Sequence, residues 1–226
     1  MQLLKDIWQI IITAEYRNYL LEGFLHTLVL TFVAALIGLF IGLVVAIIKI
    51  FSGENKYLKI PSIICNIYTT VVRGTPVALQ LFIMVFVILA IPGFKAYAVI
   101  LTFGINSGAY VSEIFRAGFE GIDKGQREAS KTLGLNYIKT MRYVIFPQAL
   151  AKIFPALGNE VITLVKETSI AGYIGIVELI KAADIISSRT YDYFFPLVVS
   201  AIVYLLLTFI LSKVMTYGEK RLNHGV

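Results

Sequence analysis

Three stretches of the chain, 23–48, 74–94 and 193–212, contain no Asp, Glu, Lys or Arg. Each is long enough to cross a hydrocarbon core of about 30 Å as a helix. Backbone amides in lipid must pair internally, so such stretches form helices, not open strands. Two further apolar segments carry isolated polar residues. The pattern predicts five membrane-crossing helices, at 21–50, 58–91, 94–119, 148–166 and 191–215. The expected fold is an all-α polytopic membrane protein, a single domain over 1–226. A secretory leader does not account for 23–48, because its apolar stretch is too long and further spans follow.

Composition agrees: 58 % of the residues are hydrophobic and 15 % charged, where soluble domains average nearer one quarter charged. The net charge of +6 is not a nucleic-acid signature, because the basic residues fall in particular loops. One set holds Lys49, Lys56, Lys59, Arg116, Lys124, Arg127, Lys131, Lys139, Arg142, Lys213, Lys220 and Arg221; the other holds Lys5, Arg17, Lys95, Lys181 and Arg189. The positive-inside rule assigns the richer set to the cytoplasm. The N-terminus is then expected outside and the C-terminus inside, as an odd number of spans requires. Cys65 is the only cysteine, which excludes an internal disulfide and a cysteine-held metal cluster. His26 and His224 stand at opposite ends of the chain, so no metal site is expected.

Local features refine the spans. Pro76 removes a backbone donor and should bend the second one, leaving the helical residues before it along the cytoplasmic interface. Gly38 and Gly42 form a small-xxx-small pair that permits close helix contact, or are ordinary helix glycines. Between the fourth and fifth spans, 170–189 reads as a short amphipathic helix at the outer surface, with Glu178, Lys181 and Asp184 on one face.

The cytoplasmic segment, about 118–147, contains Glu128-Ala129-Ser130, then Gly134 after three residues, then Val144-Ile145-Phe146-Pro147 after nine more. It predicts a helix of about three turns from near Gln126, broken at Gly134, and a second helical piece beyond. Composition alone allows either a docking helix for another protein's groove or a solvated connection.

This segment resembles the EAA loop of permease subunits of bacterial ABC importers, with Ser130, Val144 and Phe146 as conservative departures. The resemblance to the polar amino acid uptake branch extends over about 73–169. It rests on Arg73-Gly74-Thr75-Pro76 with Gln80-Leu81-Phe82, on Asn106-Ser107-Gly108-Ala109-Tyr110 through Glu113, Arg116 and Gly118, and on Gly158-Asn159-Glu160 with Lys166-Glu167-Thr168-Ser169. It implies a permease of the bacterial cytoplasmic membrane, not an enzyme, whose coupling residues are Glu128, Ala129, Ser130, Gly134 and Pro147. The implied partners are a cytoplasmic ATPase dimer, a second permease subunit (identical or related) and an extracytoplasmic binding protein that delivers an amino acid. No phosphate-cradling Gly-x-x-x-x-Gly-Lys-Ser/Thr stands in this sequence, so ATP and Mg are expected on the partner and no cofactor on this chain.

Polar residues at membrane depth are the candidates for substrate contact. A charge near the bilayer centre costs at least about 2.5–3.5 kcal/mol. Glu160 stands about 18 Å from the inner end of the fourth span, between Asn159 and Thr163. It should face the bundle interior, where a carboxylate attracts an ammonium or guanidinium group. Pairing with a basic residue, or hydrogen bonding across helices in the protonated form, are the alternatives. Asn106, Ser107 and Tyr110 in the third span either complete a polar pocket with Gln80 or bond between helices for about 0.6 kcal/mol each. Arg73 is expected to snorkel or to pair with an acidic residue, and Glu113 with Arg116 to form an intrahelical pair. The expected cargo is a polar amino acid, with arginine, lysine or histidine favoured by Glu160. The rivals are an ion-gradient-driven secondary transporter or channel subunit, for which no inverted repeat is seen, and a membrane subunit without a transport path. No nucleophile–base arrangement supports a soluble enzyme.

Overall fold

The computed structural model describes residues 13–53 and 55–223; Lys5 and His224 lie outside them. Every regular element among the described residues is helical. Helix α1 (Ala14–Phe51) is followed by α2 (Lys59–Arg73), α3 (Val77–Ile83), α4 (Lys95–Glu120), α5 (Lys124–Thr132), α6 (Tyr137–Thr140), α7 (Phe146–Glu167), α8 (Leu179–Thr190) and α9 (Phe194–Asn223).

Length and apolarity qualify α1, α4 and α9 as membrane spans. The second predicted span is two helices that meet at 105°. Pro76 stands at the N-cap of α3 with an extended backbone, so the break falls where the missing donor places it. The fourth predicted span corresponds to α7, whose Lys152, Glu160, Lys166 and Glu167 dilute its apolar character.

Helices α1 and α4 form the central pair. Gly38 faces Ser107, and Gly42 faces Val111 and the Gly108 carbonyl, so the small pair of α1 does serve close approach to α4. The main core joins Leu30 and Ala34 of α1, Leu81 of α3, Val99 and Phe103 of α4, and Leu164 of α7. Large apolar residues on the other side of α1, such as Phe32 and Phe40, are 65 % and 70 % exposed. Such an outward apolar face belongs to a helix whose solvent is lipid.

Two expectations are corrected. Segment 170–189 is not one amphipathic surface helix. A 3₁₀ turn (Thr168–Ile174) ends at Gly175, and α8 begins only at Leu179, capped by the Glu178 side chain. Glu178, Leu179, Ala182 and Ile186 are fully buried because α1 and α9 cover them, with Tyr16, Tyr19, Leu20 and Phe195 packed round Ile186. Lys181 and Asp184 do pair, at 2.6 Å. In the segment after α4, the first helix begins at Lys124 because Asp123 caps it, accepting from Gly125 N at 2.6 Å. The second piece runs on from α6 through a π turn (Met141–Ile145) into α7. There the Phe146 N–H reaches the Met141 carbonyl, a wider turn that absorbs the donor missing at Pro147.

Candidate functional site

Helix α4 carries Asn106, Ser107, Tyr110, Glu113 and Arg116 down one side, and α2, α3 and α7 bring partners to them. The Ser107 hydroxyl donates to Glu160 Oε1 at 2.8 Å, joining the centres of α4 and α7. Asn106 Nδ2 donates to Gln80 Oε1 at 3.0 Å. Gln80 Nε2 in turn donates to the Val72 carbonyl at 2.7 Å and to Thr75 Oγ1 at 2.8 Å. Gln80 therefore fastens the break between α2 and α3, satisfying a carbonyl left open at the end of α2. The chain of contacts runs Val72–Gln80–Asn106, then through the α4 backbone to Ser107 and Glu160.

Below it lies an ionic cluster. Glu113 receives Lys49 Nζ at 2.6 Å from α1 and Arg116 Nη2 at 2.7 Å from its own helix, with Arg73 Nη1 at 3.8 Å from α2. The expected Glu113–Arg116 pair is thus one edge of a hub joining three helices. Arg116 also bonds Glu120. The Arg73 guanidinium lies 5.3 Å from the centroid of the Tyr110 ring, a cation–π distance.

Three clefts border Glu113 or Glu160, and a smaller one of about 270 Å³ borders Gln80. One of about 540 Å³ is lined by Glu160, Tyr110, Arg73, Arg116, Lys152 and Ala156 among others. A second, of about 490 Å³, shares Arg73, Glu113 and Arg116 with the first and continues past Lys49, Asn66 and Thr69. The third, of about 420 Å³, is a largely apolar groove of α1, α7 and α9 residues that has Ser107 and Glu160 in its wall. Glu160 thus stands between a cleft bordered by charged side chains and one that is almost wholly apolar.

The sequence candidates separate accordingly. Glu160, Ser107 and Tyr110 meet around the clefts; Gln80 and Asn106 sit beside them as a fastening; Asn159 and Thr163 are exposed on α7 and line none of the three clefts. Lys152 and Ala156 were not anticipated, although their places eight and four residues before Glu160 put them on its helix face.

The second candidate region follows α4. Glu128, Ala129 and Gly134 are exposed, and Ser130 is buried with its hydroxyl bonded to the Gln126 carbonyl at 2.7 Å. Helix α5 ends with Gly134 N bonded to Lys131 O at 2.9 Å and Leu135 N to Ser130 O at 3.0 Å, a Schellman closure with Gly134 at φ +75°. Leu133 and Ile138, 80 % and 74 % exposed, flank that turn. Gln148 Nε2 reaches Gln126 Oε1 at 3.2 Å, and Lys152 Nζ the Gly121 carbonyl at 2.6 Å, so this region is tied to the helix that bears Glu160.

Comparison with known proteins places the chain in a family. The chain is 40 % identical over 207 residues to the putative glutamine transport system permease protein GlnP of Rickettsia typhi, covering 90 % of this chain and 93 % of that protein. It is 40 % identical over 208 residues to the arginine transport system permease protein ArtQ of Bacillus subtilis, covering 91 % and 93 %. A solved crystal structure of an amino acid ABC transporter with histidines superposes with a TM-score of 0.83 at 40 % identity, over 94 % of this chain and 98 % of that one. An inward-facing methionine ABC transporter, MetNI, shares the fold with a TM-score of 0.74 at 20 % identity, over 93 % and 99 %. Residues 38–224 match the family model of binding-protein-dependent transport system inner membrane components, and the chain belongs to that family of ABC permease subunits.

Proposed function

We propose that this permease carries polar amino acids inward through the cleft at Glu160, in an assembly with a cytoplasmic ATPase dimer, a second permease subunit and an external binding protein. The observation that carries this reading is the Glu160 carboxylate, hydrogen-bonded to Ser107 and opening on a cleft large enough for an amino acid. A carboxylate at membrane depth is costly unless a cation or donor meets it, and the ammonium group of an amino acid supplies one. Ser107 orients the carboxylate and Tyr110 walls the cleft, while Gln80 and Asn106 hold α3 against α4. Asn159 and Thr163 flank Glu160 on the exposed side of α7.

The single domain crosses the membrane five times, counting the bent α2–α3 pair and α7 as one span each. The start of α1 lies outside, and α5 and the end of α9 lie in the cytoplasm, in keeping with the basic loops. Glu128, Ala129, Ser130, Gly134 and Pro147 form the surface that seats on the ATPase, which holds ATP and Mg. Closure of the ATPase dimer draws two such surfaces together, and the helices turn as rigid bodies to expose the cleft outward. Cationic amino acids are preferred, because Glu160 offers a negative partner to a basic side chain. One relative is named for arginine and another for glutamine; a neutral cargo would leave Glu160 to the α-ammonium group alone.

The test is uptake into vesicles bearing the assembled transporter. Arginine uptake should exceed glutamate uptake and fall at least about tenfold in Glu160→Gln, the loss of a charge-assisted contact. Unchanged arginine uptake in that variant overturns the role of Glu160; equal uptake of glutamate and arginine removes the cationic preference.

A further inference from the structure

We propose that Arg73 binds the α-carboxylate of the amino acid, so that the cleft reads both ends of the zwitterion. This rests on the reading of Glu160 as the ammonium site. Both side chains line the same cleft of about 540 Å³, and Arg73 also lines the adjoining cleft of about 490 Å³. It therefore stands where cargo leaving Glu160 would enter the second space.

Three cations border the first cleft, and the structure separates them. Lys152 donates to the Gly121 carbonyl at 2.6 Å. Arg116 is committed to Glu113 at 2.7 and 3.0 Å and to Glu120. Arg73 makes the loosest contact, 3.8 Å from Glu113, with its side chain 44 % exposed. The Tyr110 ring centroid lies 5.3 Å from that guanidinium, a cation–π contact that does not consume its N–H donors. A planar fork of donors matches a carboxylate in two parallel hydrogen bonds, which a lysine cannot reproduce. Glu113 already accepts closer bonds from Lys49 and Arg116, so it is not stranded when Arg73 turns to a substrate. The position of Arg73 at the last turn of α2, directly before the Gly74–Pro76 break, couples its occupancy to the 105° bend.

The test measures equilibrium binding to the purified assembled transporter without the binding protein, using L-arginine against agmatine and L-glutamine against 4-aminobutanamide. Each pair differs only in the carboxylate. Wild type should prefer the acid over the amine by roughly tenfold or more, the ratio that one charge-assisted pair supplies. Arg73→Gln should bring the ratio close to one, and Arg73→Lys should restore only part of it; monodispersity and melting temperature check that each variant is assembled. A ratio unchanged in Arg73→Gln overturns the proposal while leaving Glu160 in place, provided Glu160→Gln weakens acid and amine alike. If Glu160→Gln weakens neither, the substrate site itself is misassigned and this proposal falls with it. Wild type that binds acid and amine equally also overturns it.

Discussion

Asn106 on α4 and Gln80 on α3 are joined side chain to side chain at 3.0 Å, and the same Gln80 amide satisfies the Val72 carbonyl across the helix break. One residue thus holds both the bend and its contact with α4. Gln80→Leu keeps the bulk but leaves the Val72 carbonyl and the Asn106 amide without this partner. An unsatisfied group of this kind costs about 1–3 kcal/mol, so the variant should melt at a lower temperature in detergent. Asn106→Leu should cost less when added to Gln80→Leu than alone. Strictly additive losses would show that the two amides act independently.

How much of this was legible in the sequence depends on the range of each interaction. The break at Pro76 follows from one residue's missing N–H, and Glu160 stands out because a charge interrupts an apolar run. The Glu113–Arg116 pair is readable from its spacing along a helix. Lys49 lies 64 residues away, and nothing local announces that it completes the hub. The polarity of Gln80 is visible in the sequence, whereas its bond to the Val72 carbonyl across the break is not. Helix α8 reads as a surface helix because an apolar face is visible in periodicity, whereas the distant residues that bury that face are not. Tyr16, Tyr19 and Phe195 do so here, around Ile186. Lys152 and Ala156 were readable in principle, one helical face below Glu160.

Close packing between α1 and α4 makes a second expectation. A methyl group at Gly42 would lie 2.6 Å from Val111 Cβ and overlap its Cγ1. Overpacking of this kind costs about 1–3 kcal/mol. Gly42→Ala should therefore lower the melting temperature clearly, whereas Gly53→Ala, with nothing within 4 Å, should not. Adding Val111→Ala should recover part of the loss, because the two side chains compete for one space. A Gly42→Ala protein as stable as wild type would mean that the helices separate easily at this crossing.

Gly134 poses a different constraint, since its φ of +75° is adverse for side-chain-bearing residues while the space around it is open. The cost of substitution is then conformational, about 1–2 kcal/mol for an L-residue in the left-handed region. Thermal stability should rank Gly134 first, then Asn, then Ala, with Val lowest. Gly134→Trp has room in the isolated chain and should melt near Gly134→Ala. Its bulk nevertheless projects from the surface proposed to seat on the ATPase, so substrate-stimulated ATP turnover should be lost in the Trp variant and largely kept in the Ala variant. Equal turnover in the two would move the docking surface elsewhere.

Glu178 sets a pH dependence at the other end of the molecule. It is fully buried, and its carboxyl accepts from the Ile180 and Lys181 amides at 2.8 and 2.7 Å and from the Tyr204 hydroxyl at 3.0 Å. Burial pushes its pKa above the ordinary carboxyl value, and the hydrogen bonds only partly offset that. Between the ordinary and the raised value the folded protein therefore holds more protons than the unfolded chain, and stability falls as pH rises through that window. The contribution of Glu178 is fully present below the ordinary value and is lost above the raised one. Glu178→Gln removes the titration and leaves an oxygen for the cap. Melting temperatures measured from roughly pH 4 to pH 8 should show the wild-type advantage over the variant largest at the acid end and shrinking as pH rises. An advantage that grows toward neutral pH would mean that the ionised carboxylate, held by its two amides, is the form the helix cap requires.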